Sequence, residues 1–144
     1  MWNARKSVIL SIVLLYTCAA VLLASCFFAP FVIQRLPRTD GSYTFGLLIF
    51  YICVGIAFIA ITLLHRLLHN IRCEQVFIPQ NSRLLRYISW CCFVVCILTF
   101  AGGFAFYSLF LVCAAAGFMG MILRVVKNIL STATALKTEN ELTI

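Results

Sequence analysis

The sequence predicts an all-α membrane protein whose four transmembrane helices form a bundle. Of the 144 residues, 64% are hydrophobic and only 10% are charged, a balance outside the range of soluble globular domains. Three stretches contain no charged residue, namely 7–33, 43–64 and 87–123. A helix needs about 20 apolar residues to cross the hydrocarbon core, so the first two stretches provide one span each and the third provides two. Residues 1–144 are therefore expected to form a single transmembrane domain.

The four spans are expected at about 7–30, 43–64, 84–101 and 106–130. Pro30 is expected to end the first helix, because proline interrupts the hydrogen bonding of a helix. The long third stretch is expected to break near Gly102 and Gly103, where an interior helical turn is least favourable. Helices two and four are expected to continue as cytoplasmic helical extensions, into a loop at 65–86 and a tail at 124–144.

Basic residues indicate the orientation. All but two of the 11 Lys and Arg residues fall on one side of the membrane, namely Arg5, Lys6, Arg66, Arg72, Arg83, Arg86, Arg124, Lys127 and Lys137. Only Arg35 and Arg38 fall on the other side. By the positive-inside rule both termini are cytoplasmic. This topology and contact with the lipid bilayer account for the net charge of +7, so we expect no direct binding of nucleic acid.

The N-terminal stretch also resembles a signal peptide. Leu23, Ala24, Ser25 and Cys26 fit a lipoprotein cleavage box, in which small residues precede an acylated cysteine. Further apolar residues follow Cys26, whereas a processed lipoprotein usually continues into a polar tether. We therefore expect an uncleaved span, with processing left open as an alternative.

The eight cysteines do not form a redox motif, since no Cys-x-x-Cys pair occurs. His65, His69 and Cys73 are weak candidates for a metal site, because a spacing of four places them on one face of a helix. A structural zinc site needs four ligands, however, and an apolar stripe beside these residues favours an amphipathic extension along the membrane interface. We therefore expect neither a metal nor another cofactor.

Neither catalysis nor ion-coupled transport has a signature in the sequence. No Asp, Glu, Lys or Arg lies at membrane depth in a span, although ion-coupled carriers place such residues there. Arg86 falls at the cytoplasmic end of span three, and Arg124 and Lys127 fall in the cytoplasmic extension that the range 106–130 includes. We therefore expect no enzymatic activity. A small transport or permeability component formed by a homo-oligomer stays open as an alternative function.

Small residues on helix four predict where it packs. Cys113, Ala116, Gly117 and Gly120 occur at helical spacing, and such residues allow close contact between membrane helices.

The loop and the tail are expected to form one cytoplasmic surface. Pro79 is expected to stop the incoming helix, and Asn81 or Ser82 to cap the next one. The apolar residues of the loop have no partner in their own turn. On helix four, a stripe of apolar residues continues beyond the expected membrane span. The tail that follows holds the only closely spaced carboxylates. Such an acidic pair is suited to a basic partner. The residues assigned to this partner site are Phe77, Ile78, Asn81, Arg124, Ile129, Leu136, Glu139, Asn140 and Glu141.

Two segments make the chain resemble the bacterial membrane family known as domain of unknown function 2975, or DUF2975. One lies in the loop, with Leu68, Ile71, Val76, Phe77 and Asn81. The other comprises residues 123–128 and the closing residues 136–144. The resemblance implies four spans and a bacterial plasma membrane. Family members are often encoded beside a very small helix-turn-helix regulator, which implies that they control or sequester it at the membrane.

Overall fold

The structure, a computed structural model, describes residues 4–35, 43–73 and 75–143, with only the backbone of residues 4–7. Its four helices are α1 (Ala4–Arg35), α2 (Tyr43–Arg72), α3 (Pro79–Gly103) and α4 (Ser108–Thr143). Each helix is long and apolar enough to cross a membrane. The predicted all-helical, multi-pass architecture is thus confirmed. Arg38, which belongs to the charge argument, lies outside the described residues.

The helices pack in chain order, α1 on α2, α2 on α3 and α3 on α4. Among the described residues, no Cα atom of α1 lies within 8 Å of one in α3 or α4. Neighbouring helices are antiparallel: Tyr16 meets His65 and Cys26 meets Tyr51. We call the end that carries the α2–α3 connection the loop end, and the end that carries the α3–α4 connection the turn end. The bundle is therefore open between α1 and α4.

α1 continues through Pro30 to Arg35, so the prediction that Pro30 ends it is wrong. Proline cannot donate a hydrogen bond to the carbonyl four residues earlier, which is that of Cys26. The hydroxyl of Tyr51 in α2 donates to this carbonyl at 3.5 Å. A neighbouring helix partly replaces the missing bond, which is one way in which membrane helices tolerate proline.

The break between α3 and α4 lies at the glycine pair, where it was predicted, but for a different reason. Neither glycine adopts the left-handed conformation. A Cβ atom on Gly102 would lie 2.7 Å from Leu109 Cδ1, and one on Gly103 would lie 2.8 Å from Phe110 Cε1. The glycines are therefore required by the close approach of α4 and not by the freedom of their own backbone.

Phe106 closes the turn end. Its side chain is 3% exposed and packs in a buried cluster with Ala29 and Ile33 of α1. Its ring also covers Gly46 of α2, where an added Cβ atom would come within 2.5 Å of Phe106 Cε2. Through this one side chain the α3–α4 turn holds α1 and α2 together.

Gly120 lies where α3 and α4 pack closely. A Cβ atom there would lie 3.2 Å from Phe93 Cε1 and 3.4 Å from Cys92 Cβ. The buried hydroxyl of Ser89 donates to the carbonyl of Gly120 at 2.9 Å. A small residue at this position therefore allows both the close packing and an interhelical hydrogen bond.

The other small residues of α4 lie either against α3 or at the interior of the bundle. Cys113 Sγ lies 3.4 Å from Cys96 Sγ of α3, and a Cβ atom on Gly117 would lie 3.2 Å from the same sulfur. Ala116 borders an apolar cleft that is also lined by α1 and α2. The small face thus serves the α3 contact along one edge and the interior of the bundle along the other.

Candidate functional site

The connection between α2 and α3 is built around Asn81, whose side chain is fully buried. Its Oδ1 accepts a hydrogen bond from Asn70 Nδ2 at 2.9 Å. Its Nδ2 donates to the carbonyls of Gln75 at 2.8 Å and Val76 at 2.9 Å. Both amide donors are thus used. One side chain joins the last turn of α2, the loop and the first turn of α3.

This role differs from the one expected for Asn81. α3 begins at Pro79, and its N-cap residue Ile78 makes no side-chain capping bond. The expectation that Asn81 or Ser82 caps α3 is therefore wrong, as is the expectation that Pro79 stops α2, which ends at Arg72. Proline suits the first helical position because its missing N–H would have no partner there. Because its side chain is fully buried, Asn81 supports the loop from within, whereas the sequence analysis assigned it to the partner site.

Below the loop, leucine side chains anchor the extension of α4. Leu67 of α2 and Leu84 and Leu85 of α3 form a buried cluster, and Leu130 of α4 packs against it. One turn further along α4, Thr134 is buried and its hydroxyl donates to the Leu130 carbonyl at 2.8 Å. The extension of α4 is therefore packed against the loop end over at least this length.

Phe77 and Lys137 bring the loop and the tail into direct contact. Lys137 Nζ lies 5.9 Å from the centroid of the Phe77 ring, within the range of a cation–π interaction. Phe77 stays 45% exposed, whereas Ile78 is half-buried. The loop and the tail thus meet at one surface, although its exposed apolar area is smaller than the sequence indicates.

The two tail carboxylates do not form one acidic site. α4 remains helical to Thr143, and residues two apart in a helix point about 200° apart around its axis. Glu141 lies on the side of Lys137, with which it makes an exposed ion pair of 3.8 Å. Glu139 consequently points away from that pair. The helix thus places Glu139 and Glu141 on different sides of α4, whereas the sequence analysis grouped them as one acidic pair.

Four predicted partner residues instead share one face of α4, which we call the exposed tail face. It comprises Ile129, Leu136, Glu139 and Asn140, whose spacings are those of a single helical face. The side chains of Ile129 and Leu136 are 64% and 61% exposed. This face combines apolar contact area with one carboxylate and one amide.

Arg124 lies apart from this face. Its guanidinium carbon lies 5.7 Å from the Trp90 ring centroid and 5.8 Å from that of Phe93. Tryptophan and arginine are both enriched where membrane helices reach the headgroups. The position of this pair is that of an interfacial anchor between α3 and α4, which leaves Arg124 less suited to a partner.

The candidate metal ligands are only partly brought together. His69 Nε2 lies 4.0 Å from Cys73 Sγ, whereas the ring of His65 lies against Tyr16 of α1, with 5.8 Å between the ring centroids. Within residues 4–35, 43–73 and 75–143, no group of three or more His, Cys, Asp and Glu side chains could hold a metal ion. The neighbouring Glu74 lies outside the described residues.

Comparison with known proteins agrees with the resemblance seen in the loop and the tail. Neither a curated protein nor a solved structure matches the chain significantly. The family model described as a protein of unknown function, DUF2975, matches residues 5–144. Since this match spans all four helices together with the loop and the tail, the chain belongs to the DUF2975 family.

Proposed function

We propose that this protein binds a small, basic helix-turn-helix regulator at the exposed tail face, on the cytoplasmic side of the plasma membrane. The observation that supports this most directly is the length of α4. Its 36 residues span about 54 Å, whereas the hydrocarbon core is about 30 Å thick. About 24 Å of helix therefore extends beyond the bilayer core, and its first part packs against the loop end.

The chemistry of the exposed tail face supports a basic partner. Ile129 and Leu136 offer apolar contacts of the kind that give affinity, while Glu139 offers charge complementarity. Anionic headgroups attract the arginines of the loop end and repel Glu139, which favours a tail face turned away from the membrane. A DNA-binding regulator carries the complementary positive charge. The helix-turn-helix type of partner rests on the association implied by the family resemblance.

The proposal requires the loop end to lie in the cytoplasm, as the basic residues indicate. Cys73 is exposed at this end and is a native reporter. A membrane-impermeant maleimide should leave Cys73 unlabelled in intact cells and label it after permeabilisation, as measured by mass spectrometry. The Cys73→Ser variant gives the background from the other cysteines. Labelling of Cys73 in intact cells would place the loop end outside and contradict the proposal.

Two substitutions on the exposed tail face should release the partner. Leu136→Ser combined with Glu139→Lys removes an apolar contact worth about 1.5–3 kcal/mol and reverses a charge. Retention of the partner should fall at least about tenfold, the change that corresponds to 1.4 kcal/mol. The measurement is copurification of the tagged, full-length protein in mild detergent, with the retained protein identified as a small basic helix-turn-helix protein. Deletion of residues 137–144 should have the same effect.

Glu141→Lys is the matched control, because it reverses the same charge on the opposite side of α4. It breaks an exposed ion pair of little energetic value and should leave retention unchanged. Equal retention by the double variant and the parent protein would refute the proposed site. Copurification of an ATPase or a second multispan subunit would instead favour the transport alternative.

A further inference from the structure

Two neighbouring apolar pockets, which we together call the cleft, lie inside the open bundle. Its half near the turn end has a volume of about 500 Å³, and its half near the loop end about 610 Å³. Leu22, Ala57 and Val95 line both halves and mark the waist between them. Along α2 the lining extends from Gly46 to Leu68, about 33 Å at the rise of a helix. The cleft is therefore about as long as the hydrocarbon core is thick.

The lining is almost wholly apolar, although Ser108 borders one half and Ser11 the other. Ser25 donates to the Leu22 carbonyl and Thr99 to the Val95 carbonyl, both at 2.7 Å within their own helices. No charged side chain lines either half. In the described parts of the chain, no buried side-chain nitrogen or oxygen lacks a hydrogen-bond partner. A buried water needs two to four polar partners, so the occupant of the cleft is apolar.

The size of the cleft selects among apolar occupants. At about 30 Å³ for a group the size of water or methylene, the halves accommodate roughly 17 and 20 such groups. These numbers match the length of a lipid acyl chain.

We propose that the cleft binds phospholipid acyl chains, one in each half. The wide spacing of α1 and α4, whose described Cα atoms all lie more than 8 Å apart, provides lateral entry from the bilayer. Each half covers about half the thickness of the hydrocarbon core, so each receives a chain from its own leaflet. Phe106 closes the turn end above this site, against Gly46. The site is independent of the exposed tail face and stands whether or not a regulator binds there.

Filling the waist tests this proposal. The full-length protein is reconstituted in vesicles of phosphatidylethanolamine and phosphatidylglycerol with chains of 16 and 18 carbons, extracted in mild detergent and studied by native mass spectrometry. The parent should retain phospholipid. Ala57→Trp, which places an indole between the two halves, should lower lipid occupancy at least about tenfold. Ala20→Trp is the matched control, because Ala20 is exposed on α1 and does not line the cleft, and it should retain lipid like the parent.

Leu22→Trp fills the same waist from α1 and provides a second variant should Ala57→Trp not fold. Helical content by circular dichroism identifies the folded variants. A second measurement, the motionally restricted fraction of a spin-labelled phosphatidylglycerol, should fall with either waist variant and not with Ala20→Trp. Equal lipid retention by folded waist variants and the control would overturn the proposal, as would a parent protein that is dimeric and free of lipid.

Discussion

Asn81→Ala is expected to disorder the α2–α3 loop and to lower the free energy of unfolding by about 2–4 kcal/mol. The substitution removes three hydrogen bonds at once. It also leaves the Asn70 amide and the carbonyls of Gln75 and Val76 without their partner in a partly buried place. The loss of a partner in such a site costs more than a hydrogen bond between exposed groups contributes.

Unfolding of the loop can be measured in two ways. Titration with sodium dodecyl sulfate in mixed micelles gives the change in stability, and hydrogen exchange of the Gln75 amide, which donates to the Asn70 carbonyl at 3.0 Å, reports the loop itself. Gln80→Ala is the control, because Gln80 is an exposed neighbour, and it should change stability by less than about 0.5 kcal/mol. Equal effects of the two substitutions would mean that the leucine cluster alone holds the loop.

Gly120→Leu is expected to separate α4 from α3 and to cost about 3–5 kcal/mol, with a large loss of folded yield in detergent. Even a Cβ atom at this position would lie 3.2 Å from the Phe93 ring, so the leucine side chain has no space. Moving the helices apart also breaks the Ser89 bond to the Gly120 carbonyl. Overpacking and loss of a buried hydrogen bond each cost about 1–3 kcal/mol, and here they act together.

Gly55→Leu is the matched control for this prediction. Gly55 is an exposed glycine of α2 at which a Cβ atom would meet nothing within 4 Å. The same change of residue type should therefore leave yield and stability near those of the parent. The yields are measured by size-exclusion chromatography. Equal yields for the two variants would show that the small residues of α4 contact lipid and not α3.

The four spans are predictable because the thickness of the bilayer sets their length and few charges interrupt them. The end of α1 is not predictable in this way. Pro30 ordinarily ends or kinks a helix, and here the hydroxyl of Tyr51, which is distant in the sequence, donates to the carbonyl that the proline leaves without a partner. The sequence shows the proline but not this hydroxyl, which partly replaces the missing hydrogen bond.

The candidate site was likewise predictable only in part from the sequence. Its apolar residues indicate that loop and tail meet, and Phe77 does contact Lys137. The role of Asn81 is hidden, because asparagine near a helix start is typical of a cap, while its partner Asn70 belongs to the preceding helix. The separation of Glu139 from Glu141 follows only once α4 is known to continue to Thr143. Local sequence patterns thus predict the helices, whereas contacts between helices decide the roles of individual residues.

The packing of the helices in chain order has a consequence for biosynthesis. Contacts between helices join neighbours in sequence, so each helix finds its main partner already made as it leaves the ribosome. In a closed bundle α1 would also contact α4, which is synthesised last. Forming that α1–α4 contact would cost more chain entropy, because the two helices are far apart in the sequence. Phe106, in the α3–α4 turn, adds a contact with the earlier residues Ala29 and Ile33. Assembly can therefore proceed stepwise during translation.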